Sequence, residues 1–217
     1  MTTPAGVIFD MDGTLLDSMF YWNQVPADCL RQIYGREPKP DLMDRLKVMT
    51  LRQGCDWVRR EYELSAGADE IRDGINALMK QFYTKRVRVK DGARSWLEQL
   101  QKQGVPMVIA TSTDRPLVEA ALEYTGLAPF FSAVFTCTEV GAGKAKPDVY
   151  EAARAFLGTP KGETWVFEDA LFAMRTAKAS GFLLAAVYDA SQAALQQEIQ
   201  ALCDLYIPAF SALPYPF

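Results

Sequence analysis

Asp10 and Asp12 stand one residue apart, directly after the apolar run Gly6-Val7-Ile8-Phe9 and directly before Gly13-Thr14. On a turn leaving a strand, two carboxylates at this spacing can address one reacting group, one as nucleophile or ligand and the other as acid and base. Similar clusters follow the other apolar runs. Thr111, Ser112, Thr113 and Asp114 come after Val105-Pro106-Met107-Val108-Ile109-Ala110, and Glu168-Asp169 after Trp165-Val166-Phe167. Lys144 and Lys146 come shortly after the short apolar stretch that ends at Cys137. If these runs are parallel strands, their carboxyl ends open onto one crevice, where such sheets bind ligands. Carboxylates crowded on one rim repel and raise each other's pKa, so a cation is their natural complement. Oxygen donors without His or Cys select a hard ion, and magnesium is the expectation.

What is missing narrows the chemistry further. The 217 residues contain no histidine, which excludes Ser-His-Asp and Cys-His catalysis and His-ligated zinc. The four cysteines, Cys29, Cys55, Cys137 and Cys203, show no Cys-x-x-Cys spacing and read as reduced thiols. With 23 basic and 27 acidic side chains the formal charge is −4, and no basic block offers a footprint for nucleic acid or an anionic membrane. No run is long enough for a signal peptide or a membrane span. The expectation is a cytoplasmic monomer whose partner is a small molecule.

The elements that must position these residues follow from hydrophobic periodicity. After about Asp91, short apolar runs alternate with helical patterns. Helices are expected from Ala93 to Gly104, from Pro116 toward Tyr124, from about Pro147 to Leu157 and from Ala170 to Ser180. Strands are expected at 105–110, 133–137, 165–167 and 182–187, and a last one at Leu205-Tyr206-Ile207. This alternation predicts an α/β fold, a Rossmann-like parallel sheet core in a three-layer α/β/α arrangement. From about Ser18 to Arg86 the spacing is helical instead, with Ile71, Ile75, Leu78, Met79 and Phe82 on one stripe. The expected organisation is a core of residues 1–16 and 88–217, interrupted by an α-helical cap domain at 17–87.

Asp10-Met11-Asp12-Gly13-Thr14-Leu15-Leu16-Asp17-Ser18 resembles the first motif of the haloacid dehalogenase-like (HAD) hydrolases. Ala110-Thr111-Ser112 is similar to their second motif, Lys144-Ala145-Lys146-Pro147-Asp148 to the third, and Phe167-Glu168-Asp169-Ala170 to the fourth. Four motifs in order are specific where a lone Asp-x-Asp is not. The resemblance implies that Asp10 is a nucleophile forming an aspartyl phosphate and Asp12 the acid and base. It implies that Thr111 holds a phosphoryl oxygen and that a lysine neutralises charge, Lys144 rather than Lys146 by the family's spacing. Magnesium would be held by Asp10, Asp12 through its carbonyl, and Asp169, with Glu168 a further metal-shell group. Gly13, Ser112 and Asp114 would border the substrate, and Trp22, Lys47, Thr50 and Arg52 are candidate readers on a cap that closes through two hinges.

The resemblance thus implies a magnesium-dependent phosphatase of small phosphate monoesters such as sugar phosphates. A β-phosphoglucomutase-like phosphosugar mutase and a non-catalytic phosphate-binding module are the alternatives. Trp22 stands where the related mutases carry a histidine, which disfavours the mutase. Retention of Asp12 disfavours a module without turnover.

Overall fold

The computed structural model describes residues 3–46, 49, 51–212 and 215. The chain forms two compact units, one made of the chain up to Met19 and from Val87 onward, the other of Phe20–Arg86.

The first unit is built on a six-stranded sheet, every pairing parallel. Its strands are β1 (Gly6–Phe9), β4 (Met107–Thr111), β5 (Val134–Thr136), β6 (Thr164–Glu168), β7 (Leu183–Val187) and β8 (Leu205–Ile207). A separate two-residue ribbon pairs β2 (Leu16–Asp17) with β3 (Arg88–Val89) antiparallel. The order across the main sheet is β5-β4-β1-β6-β7-β8, so the chain goes to one side of β1 and then to the other. β1 is therefore the switch strand, and the residue that follows it faces the crevice. Registers Phe9↔Ile109 and Phe9↔Phe167 bring the ends of β4 and β6 level with Asp10.

Both faces of the sheet are covered, which is why its strands read as continuous apolar runs rather than alternating ones. Ile8, Val108, Ala110 and Val166 pack with Val149, Tyr150 and Ala153 of helix Asp148–Leu157 and with Ala177 of helix Leu171–Ala179. On the other face the Phe9 ring lies 4.5 Å from that of Phe167, tilted by 40°, and the Phe167 ring meets Trp96 of helix Ala93–Lys102 edge-on. Each buried Ile, Val or Phe side chain among them contributes about 1.5–3 kcal/mol, so the strands carrying the polar rim are anchored by their apolar bodies. The expected strand and helix positions are recovered to within a few residues. The β2–β3 ribbon was not expected; two residues a side leave no periodic signal.

The second unit is helical. Helix Ala68–Lys85 buries Ile71, Ile75, Leu78, Met79 and Phe82, the predicted stripe, and packs against helices Val25–Tyr34 and Leu51–Glu61. Tyr21 stacks on Phe82 at 4.5 Å, and the indole N–H of Trp22 donates to the Tyr83 hydroxyl at 3.0 Å. Cys29 and Cys55 are buried free thiols in this unit, while Cys137 and Cys203 are half-buried in the other. Among the described residues no helix is long and apolar enough to cross a membrane.

Candidate active site

Asp10 extends the β1 ladder by one bond, its N–H donating to the Phe167 carbonyl at 2.9 Å, which fixes the backbone that presents its carboxylate. One carboxylate oxygen, Oδ1, accepts from Lys144 Nζ at 2.5 Å; Oδ2 has no donor among the described residues. Met11 is wholly buried, so the chain turns its apolar residue inward and leaves the flanking acids on the polar side. Asp12 is gripped by two hydroxyls: Ser18 Oγ donates to Oδ1 at 2.6 Å and Thr113 Oγ1 to Oδ2 at 2.8 Å. The turn closes through Leu15 and Leu16 N–H groups donating to the Met11 carbonyl.

Gly13 makes this turn possible. Its φ is +79°, and a Cβ there would lie 2.4 Å from Asp169 Oδ2. The missing side chain thus lets Asp169, just past β6, close on the turn beside Asp10. Thr14 Oγ1 donates to Asp169 Oδ1 at 2.9 Å, and Asp169 Oδ2 likewise has no donor among the described residues. Glu168 differs: it accepts from Lys144 Nζ and from the Tyr150 hydroxyl at 3.0 Å on Oε1, and from the N–H groups of Asp169 and Ala170 at 3.1 and 3.3 Å on Oε2. All of these side chains are almost fully buried, Lys144 at 4% exposure and Glu168 at 1%.

The electrostatics follow from that burial. Burial pushes the Asp10 carboxyl well above its usual range and Glu168 and Asp12 push it further, while Lys144 pulls it back. Burial and the neighbouring charges of Glu168 and Asp10 likewise raise Asp169 strongly. Burial works against the Lys144 ammonium, but Asp10 and Glu168 outweigh it and hold the proton on. Three buried carboxylates thus cluster with one ammonium, which pairs with two of them, Asp10 and Glu168. Oxygens of Asp10, Glu168 and Asp169 lie within 4.8 Å of one another. An all-oxygen donor set, an excess of negative charge and two carboxylate oxygens without donors fit a hard divalent cation.

Thr111 and Thr113 are buried at the end of β4, the Thr111 hydroxyl accepting from the Thr113 N–H at 3.1 Å; Ser112 is exposed, with Oγ 3.6 Å from Cys137 Sγ. Asp114 heads helix Arg115–Thr125 and accepts from Thr138 Oγ1 at 2.7 Å. Of the two lysines, Lys144 reaches Asp10, and Lys146 is exposed. Trp22 is half-buried and spends its N–H on Tyr83; Arg52 is exposed at the start of helix Leu51–Glu61. Lys47 and Thr50 lie outside the described residues. Sequence reasoning missed Ser18 and Thr113 as the holders of Asp12, and Tyr150 altogether.

A family model described as haloacid dehalogenase-like hydrolase matches residues 4–181. The chain belongs to that family. Its curated relatives include a phosphorylated carbohydrates phosphatase of Thermotoga maritima, 24% identical over 81% of both chains. Another is the bifunctional riboflavin kinase/FMN phosphatase of Arabidopsis thaliana, 28% identical over 83% of this chain; the match spans only about half of that relative, 48% of its length. Among solved structures, CbbY from Rhodobacter sphaeroides in complex with phosphate superposes with a TM-score of 0.83 at 18% identity, covering 96% of this chain and 95% of that one. At that identity the likeness carries the fold. As a HAD-like hydrolase, this chain keeps all four motif segments on the rim formed by β1, β4 and β6 and the loop that bears Lys144.

Proposed function

We propose that this HAD-like hydrolase is a magnesium-dependent phosphatase of small phosphate monoesters, phosphorylated carbohydrates first among them, working through an aspartyl phosphate on Asp10. The carrying observation is the unequal use of the Asp10 oxygens: Oδ1 is held by Lys144, while Oδ2 has no donor among the described residues, and an oxygen of this carboxylate lies within 4.8 Å of oxygens of Glu168 and Asp169. A carboxylate held at one end and open at the other is arranged to attack. That the relatives described above are named phosphatases supports the same reaction class.

In the first half-reaction an Asp10 carboxylate oxygen forms a bond to phosphorus as the ester P–O bond breaks. The departing oxygen takes its electron pair and accepts a proton from Asp12. In the second, Asp12 takes a proton from water, the water oxygen bonds phosphorus, and the Asp10–phosphorus bond breaks to release inorganic phosphate. Ser18 and Thr113 hold the Asp12 carboxylate in place for both transfers. Lys144 offsets charge on Asp10, and Thr111 supplies a hydroxyl to a phosphoryl oxygen. Magnesium held by Asp10, Asp169 and the Asp12 carbonyl would supply charge neutralisation at the transferring phosphoryl group. Ser112 and Asp114 border the departing group. The helical unit, Phe20–Arg86, is read as the cap, with Trp22, Arg52 and Lys47 as its specificity residues.

The test is phosphate release from a panel of sugar phosphates, polyol phosphates, phosphoglycolate and nucleotides, with magnesium and with excess EDTA. Release that needs magnesium is expected. Full release in EDTA would remove the metal from this account, and release from no ester would remove the activity.

A further inference from the structure

The three buried acids of the rim are not equivalent as ligands. A carboxylate offers roughly four lone-pair sites. Asp10 and Asp169 each receive one donor on one oxygen and none on the other among the described residues. Glu168 receives four: the Lys144 ammonium, the Tyr150 hydroxyl, and the N–H groups of Asp169 and Ala170. Its acceptor capacity is taken up by the protein itself.

We propose that Glu168 is the anchor of Lys144 rather than a ligand of the metal, and that Tyr150 is the positioning residue that fixes it. The chain of contacts runs Tyr150 Oη to Glu168 Oε1, Oε1 to Lys144 Nζ, and Nζ to Asp10 Oδ1. Lys144 sits on a loop between two helices, and a four-carbon stem on a loop has many rotamers to lose. Glu168 is the last residue of β6 and Tyr150 lies in helix Asp148–Leu157, packed on the sheet with no exposed surface. The ammonium is therefore located by two rigid elements rather than by its own loop. The Tyr150 ring also lies 5.7 Å from Nζ, so the tyrosine borders the ammonium as well as fixing its anchor.

This inference rests on the functional reading above only for what Lys144 does to Asp10; the ligand assignment stands apart from turnover. It is tested on the full chain by titrating manganese(II), as a paramagnetic stand-in for magnesium, into wild type, Glu168→Gln, Asp169→Asn and Tyr150→Phe and following free ion by electron paramagnetic resonance. Asp169→Asn is expected to weaken binding at least about tenfold and clearly more than Glu168→Gln, which loses only a neighbouring charge, while Tyr150→Phe stays near wild type. Loss of binding in Glu168→Gln as large as in Asp169→Asn, with Tyr150→Phe unchanged, would make Glu168 a ligand and overturn the proposal. The second readout is kinetic. Tyr150→Phe keeps the ring beside Lys144 and removes only the hydroxyl, so kcat for a phosphate ester should fall about tenfold with KM little changed. An unchanged kcat would overturn the positioning role. Failure of wild type to release phosphate from any ester would refute the functional reading instead, and the manganese titration would still decide the role of Glu168.

Discussion

Asp10 and Asp12 are the same residue type two positions apart, yet their surroundings separate them. Asp10 accepts from an ammonium and lies beside two further buried carboxylates; both oxygens of Asp12 accept from neutral hydroxyls. The first environment suits a group that must bear charge beside a phosphoryl group, the second one that must exchange a proton without turning. Lys144 is the residue on which this difference depends. Lys144→Ala is expected to lower kcat/KM by about 10²-fold or more, the scale for losing a preorganised charge partner, while Lys146→Ala leaves it nearly unchanged. Steady-state kinetics on the best ester decides, and equal losses in both variants would contradict the assignment. The acids and Thr111 stood out in the sequence because they end apolar runs, and the lysine pair through its likeness to the family's third motif. Tyr150 was not, because on helix Asp148–Leu157 it falls on the apolar face with Val149 and Ala153 and reads as core. Ser18 and Thr113 were visible, but which acid they hold depends on the turn after β1 and on the register of β4, and spacing alone fixes neither.

At the scale of elements, the turn after β1 and the entry to the helix after β4 are the parts that must hold their shape. Gly13→Ala is expected to cost more than the roughly 1–2 kcal/mol of a left-handed non-glycine residue, because its Cβ also meets the Asp169 carboxylate. A chemical-denaturation midpoint well below wild type, with manganese binding weakened, is the expected result; an unchanged midpoint would mean that the turn relaxes freely. Next to the rim, Arg115 at the start of helix Arg115–Thr125 donates to Glu139 and to the Val134 carbonyl of β5, clamping the two elements. The arginine hydrogen bonds pull the Glu139 carboxyl from 4.5 down to about 2. A depressed folded value means that the pair stabilises the protein above about 4.5 and that this contribution is lost as pH falls toward about 2. Both partners are more than a third exposed, so the contribution stays below about 1 kcal/mol. The stability difference between wild type and Glu139→Gln should therefore be largest near neutrality and shrink as pH falls through that window. A difference that grows on acidification would contradict the sign.

At the scale of the whole molecule, the chain passes between its two units only twice, after Met19 and before Val87, and the β2–β3 ribbon ties the leaving and returning segments together. The parallel sheet and the helical insertion were legible because short continuous apolar runs differ from an apolar stripe with a period of 3.6. The ribbon was not, being two residues a side. Hydrolysis by this route requires that Asp10 become covalently phosphorylated during turnover. The direct measurement is peptide mass spectrometry of Asp12→Asn, mixed with magnesium and an ester with a good leaving group and quenched in acid within the first turnover. A phosphoryl group on the peptide bearing Asp10, absent when Asp10→Asn is combined with it, is the predicted result. Wild-type turnover with no phosphoryl adduct at Asp10, or near-normal turnover by Asp10→Asn, would contradict it.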